Sequence, residues 1–333
     1  MNILVLGGTR FIGAATVKRL VNAGHSVAVF HRGKTRNNLA PAHEIIGDRQ
    51  DLPQFASAFQ RFAPELVLDM FPITEHDARV FMSLFKGLAQ RVISISSIDV
   101  YRAYGRLTGT EPGPPEPTPL TEDSPLREKL YPYRGKIERL NDYDKILVER
   151  VVMSERGLPG TVLRLPMVYG PHDYQHRLFP YLKRMDDSRP AILLEKTFST
   201  WRSARGFVEN MARAIELAVT HPGAANRIYH VAEPLGLTEA EWVAQIGQAT
   251  GWQGRSAILP AARMPAHLRD DGEYAQHLDV DSSRIRRELG YAEIVPLDAA
   301  LTQTIEWERA EPPSFDVAQF DYPAEEEALA GLE

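Results

Sequence analysis

The sequence predicts an α/β architecture, a doubly wound parallel sheet with a smaller C-terminal α/β lobe. Three observations carry that reading. Apolar strand-like runs alternate with helix-period segments through the first half of the 333 residues, the pattern of a parallel sheet covered by helices on both faces. The first unit is complete within residues 2–30, as strand, glycine turn, helix and strand. After Pro171 the alternation loses its regularity, which marks the change from sheet domain to second lobe.

Strands are expected at 2–6, 26–30, 43–46, 66–70, 91–96 and 160–165, each an apolar run bounded by polar or turn-forming residues. Helices between them are expected at 12–22, 52–62, 75–88 and 142–156. Residues 105–132 break the pattern. Pro112, Pro114, Pro115, Pro117, Pro119, Pro125 and Pro132 exclude regular helix and inner strand there, and so long a loop reads as a lid. Beyond Pro171 come a short helix at 177–185, a strand at 191–194, a helix at 207–219 and a strand at 227–231. Thr238 and Glu241 form a capping box that opens a helix to about residue 250. Helices at 282–289, stopped by Gly290, and at 297–309 follow. The tail from Glu311 is acidic and contains proline, and is expected to be loosely ordered.

Composition excludes several classes. Hydrophobic content of 44% and charged content of 25% are those of an ordinary globular chain. A net charge of −6 argues against an extended nucleic-acid footprint. The absence of cysteine removes disulfides, thiolate metal sites and cysteine nucleophiles. The histidines lack metal-ligand spacing, so no metal is expected. No uncharged apolar run is long enough to span a bilayer, and the first strand begins at residue 2, leaving no room for a leader ahead of it. A cytoplasmic protein is expected.

Gly7-Gly8-Thr9-Arg10-Phe11-Ile12-Gly13 joins the first strand to the first helix. Glycines let the backbone turn tightly and approach a ligand, and the helix N-terminus offers N–H groups to a pyrophosphate. This is a Rossmann-type unit, whose ligands belong at the carboxyl ends of the strands. All seven residues of the turn are candidate dinucleotide contacts. The end of the second strand would carry a carboxylate for the ribose of NAD, but it reads Phe30-His31-Arg32-Gly33-Lys34. A 2′-phosphate would find Arg32 there, with Arg10, Lys34 or Arg36 nearby. NADP is therefore the expected cofactor, with NAD as the alternative. The nucleotide-binding domain comprises 1–171, with 201–232 returning to it. The substrate lobe and tail comprise 172–200 and 233–333.

Further pieces follow in a recognisable order. They are Gly47-Asp48, Ile95-Ser96-Ser97 with Val100-Tyr101, Lys145 with Glu149, Leu163-Arg164-Leu165-Pro166 with Val168-Tyr169-Gly170-Pro171, Arg205-Gly206-Phe207-Val208, and Tyr229-His230-Val231. With the glycine turn, this set resembles the extended, NAD(P)-dependent epimerase/dehydratase branch of the short-chain dehydrogenase/reductase superfamily. The likeness spans most of residues 1–250. It implies a serine, Ser97, that orients a substrate oxygen, and a lysine, Lys145, that holds the cofactor ribose and tunes a proton-carrying tyrosine. It places Asp48 and Pro166 with the cofactor, and Arg164, Tyr169, His172 and Arg205 with the substrate. The implied activity is that of an oxidoreductase, epimerase or dehydratase acting on a sugar-like or other small hydroxylated molecule. A homodimer through paired helices is implied as well.

The departures are informative. Arg10 stands where the branch has glycine, as in its atypical members, the chloroplast stem-loop-binding proteins. The alternative function is thus a non-catalytic NAD(P)-binding sensor or RNA-associated protein. Met70-Phe71-Pro72 replaces the usual small residues, which crowds the nicotinamide side. Four residues before Lys145 stands Asn141 instead of tyrosine. On a helix over 142–156, Tyr143 would lie about 200° around from Lys145 and face away. Tyr133 or Tyr131 can fold back from the loop 131–136; Tyr133 is assigned the proton, with Asp99 and Tyr101 as other carriers.

Overall fold

The computed structural model describes residues 1–35, 42–234 and 236–331. β1 (Asn2–Leu6), α1 (Phe11–Asn22) and β2 (Ser26–His31) form the first βαβ unit, and β3 (His43–Ile46) runs parallel to β2. A 3-10 segment, Arg49–Phe55, leads into α2 (Ala56–Phe62). Then come β4 (Leu66–Asp69), α3 (Glu75–Phe85), β5 (Arg91–Ser97), α4 (Arg102–Leu107), α5 (Lys145–Ser154) and β6 (Gly160–Leu165). Thr74 and Asp77 close a capping box at the start of α3. After β7 (Met167–Tyr169), α6 (Phe179–Asp186), β8 (Ala191–Glu195), α7 (Lys196–Thr200), β9 (Arg205–Phe207) and α8 (Val208–Thr220), the chain returns as β10 (Arg227–His230). β10 pairs with β6 at the edge of the main sheet.

Among the described residues the main sheet has seven parallel strands in the order β10-β6-β5-β4-β1-β2-β3. Its inner strands are largely buried because helices cover both faces, whereas the edge strand β3 is mostly exposed. Alternation along a strand sends neighbours to opposite layers. Ile3 and Val5 pack with Val17, Leu20 and Ile215 on one side, whereas Leu4 and Leu6 pack with Phe59, Phe81 and Val148 on the other. Strand order reverses between β1 and β4, and this opens a crevice at their carboxyl ends.

The smaller lobe continues through α9 (Glu239–Thr250), β11 (Arg255–Leu259), α10 (Ser283–Leu289) and α11 (Leu297–Ala310). The expected capping box of Thr238 and Glu241 opens α9, and Gly290 in a left-handed conformation ends α10. β8 pairs with β11 and β7 with β9, short pairings that lie outside the main sheet.

Three expectations are corrected. The segment 105–132, read as a lid, is fastened down. Its Leu120 and Leu126 form bridges to Val280 and Tyr101, the Glu116 carboxylate meets Arg102 at 2.7 Å, and the Glu116 backbone N–H donates to the Gln276 side chain. The helix expected from 142 begins only at Lys145, where Asp144 caps it by accepting from Ile146 N–H. The acidic tail is docked: Val317–Phe320 and α12 (Tyr322–Ala330) return to α6. Its anchor is Glu325, 1% exposed, which receives the Arg184 guanidinium at 2.6 Å and lies 3.0 Å from His267 Nε2. Acidic composition hid Glu325, the one buried glutamate among the described residues of the tail. Removing one partner of such a pair strands a buried charge, so Glu325→Ala should cost about 3–5 kcal/mol. Urea denaturation of the two proteins checks this.

Candidate active site

The glycine turn is shaped by close approach. Gly7 has φ +83°, a conformation that disfavours any side chain. A Cβ on Gly13 would stand 2.9 Å from the Gly7 carbonyl oxygen and 3.0 Å from the Gly8 Cα, so only glycine lets α1 begin against the turn. No side chain caps α1 at Arg10, which leaves the first-turn N–H groups to serve an anion. Thr9 is half-buried, and Phe11 and Ile12 pack into the core behind the turn. A turn and helix start built in this way leave backbone N–H groups that can receive an anion.

The end of β2 is basic. His31 turns inward, its Nδ1 accepting from Gly33 N–H at 3.2 Å, so it presents nothing to a ribose. Arg32 and Lys34 are exposed, and Arg10 donates to the Thr35 hydroxyl at 3.1 Å. Arg36 lies outside the described residues. Asp48 caps the 3-10 segment by accepting from Gln50 N–H, and Pro166 is half-buried between β6 and β7. Between these sides lies a feature the sequence reading missed. Arg49 grips the buried Asp69 with two guanidinium nitrogens, one of them at 2.7 Å. A carboxylate closing the apolar run Leu66-Val67-Leu68 was the available signal.

On the far side of the crevice, titratable groups converge at the end of β5. Lys145 is buried and donates to the carbonyls of Pro72 (2.5 Å) and Ile95 (3.1 Å). Burial lowers its pKa to about 8 against the raising charges of Asp69 and Asp99. Ser97 Oγ accepts from Asp99 N–H. Asp99 Oδ2 accepts from Tyr143 at 2.8 Å and from Tyr133 at 3.1 Å, while Oδ1 has no hydrogen-bond partner among the described residues. Burial pushes the Asp99 carboxyl up, opposed by those hydrogen bonds and by Arg127 and Lys145. Burial, then the Asp99 charge, also drives both phenols upward, so they hold their protons at neutral pH. Tyr104 completes the chain, its hydroxyl 3.0 Å from that of Tyr133.

The prediction that Tyr143 faces away from Lys145 is therefore overturned. Helical spacing does not apply before Lys145, and the Tyr143 ring centroid lies 5.6 Å from the ammonium. Asn141 instead holds a turn, its Oδ1 accepting from Gly135 N–H. Tyr131 lies under the Arg134 guanidinium. Tyr101 is fully buried and bonded to His230 and Arg164, which removes it as a proton carrier.

Of the residues assigned to substrate, His172 alone is exposed. Arg164 is corrected: it is 2% exposed and binds Glu149 from β6, with Tyr101 and the Glu122 carbonyl taking its other hydrogens. Tyr169 is also corrected, since it is buried with its hydroxyl on Glu233. Arg205 is buried too, paired with Glu239 and lying over the Trp242 ring. Among the described residues no group of three or more His, Asp or Glu is placed to hold a metal, and no helix is long and apolar enough to cross a membrane.

Residues 3–232 match the NAD dependent epimerase/dehydratase family. The chain belongs to that family. Among characterised relatives it is similar to the dTDP-glucose 4,6-dehydratase of Neisseria gonorrhoeae, 21% identical over 92% of this chain and 95% of that one. A more distant likeness is to the chloroplast stem-loop binding protein of 41 kDa b of Arabidopsis thaliana, 23% identical over 69% of this chain and 58% of that one. The UDP-glucose 4-epimerase of Bifidobacterium longum, solved in complex with NAD+ and UDP, shares the fold. Its TM-score is 0.68 at 18% identity, over 94% of this chain and 99% of that one.

The family cradle makes a direct prediction. Gly13→Val sets a branched side chain against the backbone of Gly7 and Gly8, so the folded variant should lose measurable affinity for NAD(H) and NADP(H). Calorimetric titration, with circular dichroism to verify folding, checks it.

Proposed function

We propose that the protein binds NADP(H) across the ends of β1 and β4 and acts on a sugar nucleotide as an epimerase, a dehydratase or a related oxidoreductase. One observation carries the reading. Lys145, Ser97 and the Asp99–Tyr133–Tyr143 cluster stand together at the end of β5, across the strand-order reversal from the glycine turn. The glycine turn and the uncapped start of α1 would hold the pyrophosphate, and Arg32 the 2′-phosphate. When bound, the nicotinamide supplies hydride transfer to or from a substrate carbon.

The chain's own residues have distinct roles. The Lys145 ammonium, now on two carbonyls, is in position to take the ribose hydroxyls of the cofactor. Ser97 orients the substrate oxygen. Proton transfer falls to Asp99 and not to a phenolate, since burial lifts all three groups but takes the two phenols further from neutral pH and brings the carboxyl toward it. Tyr133 relays between Asp99 and the hydroxyl being formed or consumed, and Tyr143 holds Asp99 in place. The lobe formed by 172–200 and 233–331 supplies the substrate side, with the exposed His172 at its entrance. A sugar nucleotide is favoured by the similarity to dTDP-glucose 4,6-dehydratases.

A screen of dTDP- and UDP-sugars with either cofactor tests this. Asp99→Asn and Tyr133→Phe should each lower turnover by at least about a hundredfold, and Asn141→Tyr should bring no gain because residue 141 lies outside α5. Silence of the wild type across the screen would leave a cofactor-binding protein without this chemistry.

Lys145 adds a pH signature. Its ammonium is lost as pH rises through about 8, so kcat/KM should fall along that limb, and Lys145→Met should be slow and lack it. A pH–rate profile of both proteins checks the assignment.

Cofactor choice rests on Arg32. Arg32→Ala should weaken NADPH by roughly ten- to a hundredfold, the worth of one charge-assisted contact, and change NADH little. Equal losses for both cofactors, measured by calorimetry, would move Arg32 to a part that both share, and no loss for either would make it a surface residue only.

A further inference from the structure

Phe71 is an exposed ring on an immobilised backbone. It follows β4 in the crevice and is 61% exposed, while Met70 beside it is 8% exposed. Each neighbour of the ring is held by a defined bond. Met70 N–H bonds to the Leu6 carbonyl and extends the pairing with β1. Phe71 N–H donates to Asp69 Oδ1 at 3.2 Å, and Arg49, which grips Asp69, also reaches the Phe71 carbonyl at 3.4 Å. From the other side Lys145 donates to the Pro72 carbonyl. A Cβ on Gly7 would lie 3.8 Å from the Phe71 Cβ, so the ring is rooted beside the pyrophosphate turn.

Two cationic side chains thus hold in place a ring that packs on little of its own protein. A single exposed ring is ordinary on a protein surface, but one rooted in the crevice on a fixed backbone offers apolar area that a ligand covers favourably. The place of the ring says which part of a ligand does so. β4 lies on the β5 side of the strand-order reversal, and Lys145 touches the residue next to Phe71. The adenine half, by contrast, belongs to the β1-β2-β3 side, where Arg32 stands.

We propose that Phe71 is a fixed aromatic wall of the crevice that packs on the nicotinamide half of the dinucleotide, with Arg49 as its positioning residue. The proposal rests on the dinucleotide-binding reading above. It also accounts for the bulky Met70-Phe71-Pro72, because the ring covers apolar ligand surface that a pocket of small residues would leave open, and keeps water from that side.

The proposal is tested by calorimetric titration of wild type, Phe71→Ala, Arg49→Ala and the double variant with NADPH and with 2′-phospho-ADP-ribose, which lacks the nicotinamide. Because Phe71 is exposed, its truncation does not threaten folding. Phe71→Ala should weaken NADPH at least about tenfold and the truncated ligand less than about twofold. Arg49→Ala should dim the emission of bound NADPH in the wild-type background and have no further effect once Phe71 is alanine. Unchanged or tighter NADPH binding by Phe71→Ala overturns the proposal, and so do equal losses for both ligands. Additive effects of the two substitutions overturn the role of Arg49. A wild type that binds neither ligand overturns the dinucleotide reading, and this inference with it. A wild type that binds NADPH with an indifferent Phe71→Ala overturns this inference alone.

Discussion

The buried pair of Glu149 and Arg164 determines where the reactive groups stand. Glu149 projects from α5 one turn beyond Lys145, and Arg164 comes from β6 under it. The carboxylate receives two guanidinium nitrogens and the Ser96 hydroxyl, so its lone pairs are well used. Ion pairs this deep are weak sources of net stability. Here the geometry matters more, because the pair fastens α5, the helix carrying Lys145, to β6, and the Ser96 hydroxyl ties the same carboxylate to β5, the strand ending in Ser97. The same guanidinium bonds Tyr101 and, through it, His230, tying in β10, and its bond to the Glu122 carbonyl ties in the segment 105–132. Burial holds the His230 imidazole at a pKa of about 3, neutral and fixed. Arg164 thus serves the site from beneath, without reaching the crevice.

Much of the fold was legible because the main strands are long apolar runs with turn formers between them. β1, β3 and β6 fall at the residues their composition marks, and the capping boxes and helix-ending glycines act where expected. Short elements were not legible. β7 and β9 have three residues each, too few to show a period, and their pairing is set by the lobe around them. The tail misled because composition averages over residues, whereas Glu325 acts singly.

The site was half legible, for a related reason. Residues recognised through local backbone form, such as Gly7, Gly13 and Ser97, lie at the crevice. Residues recognised only as charges in a motif did not have to, and Arg164 went into the core. Tyr143 was discarded on helical geometry that the chain does not adopt there, since Asp144 starts the helix later than the pattern of apolar residues suggests. That single displaced boundary changes the local electrostatics. The phenol hydroxyls bond a carboxylate and not the ammonium, which is bonded to carbonyls while the Tyr143 ring lies near it.

The late arrival of β10 has a consequence for how this protein can be divided. β6 is buried along its whole length, but one of its two hydrogen-bonding edges is satisfied by residues 227–230, more than sixty positions downstream. A nascent chain that has emerged only as far as the end of β6 carries an apolar strand with a bare edge, the kind that recruits other chains. The intervening residues, which include the first segment of the second lobe, must therefore emerge before the first lobe is sealed. Excising the sheet domain at residue 171 would make that transient edge permanent. The two lobes are separable in description but interleaved in the chain.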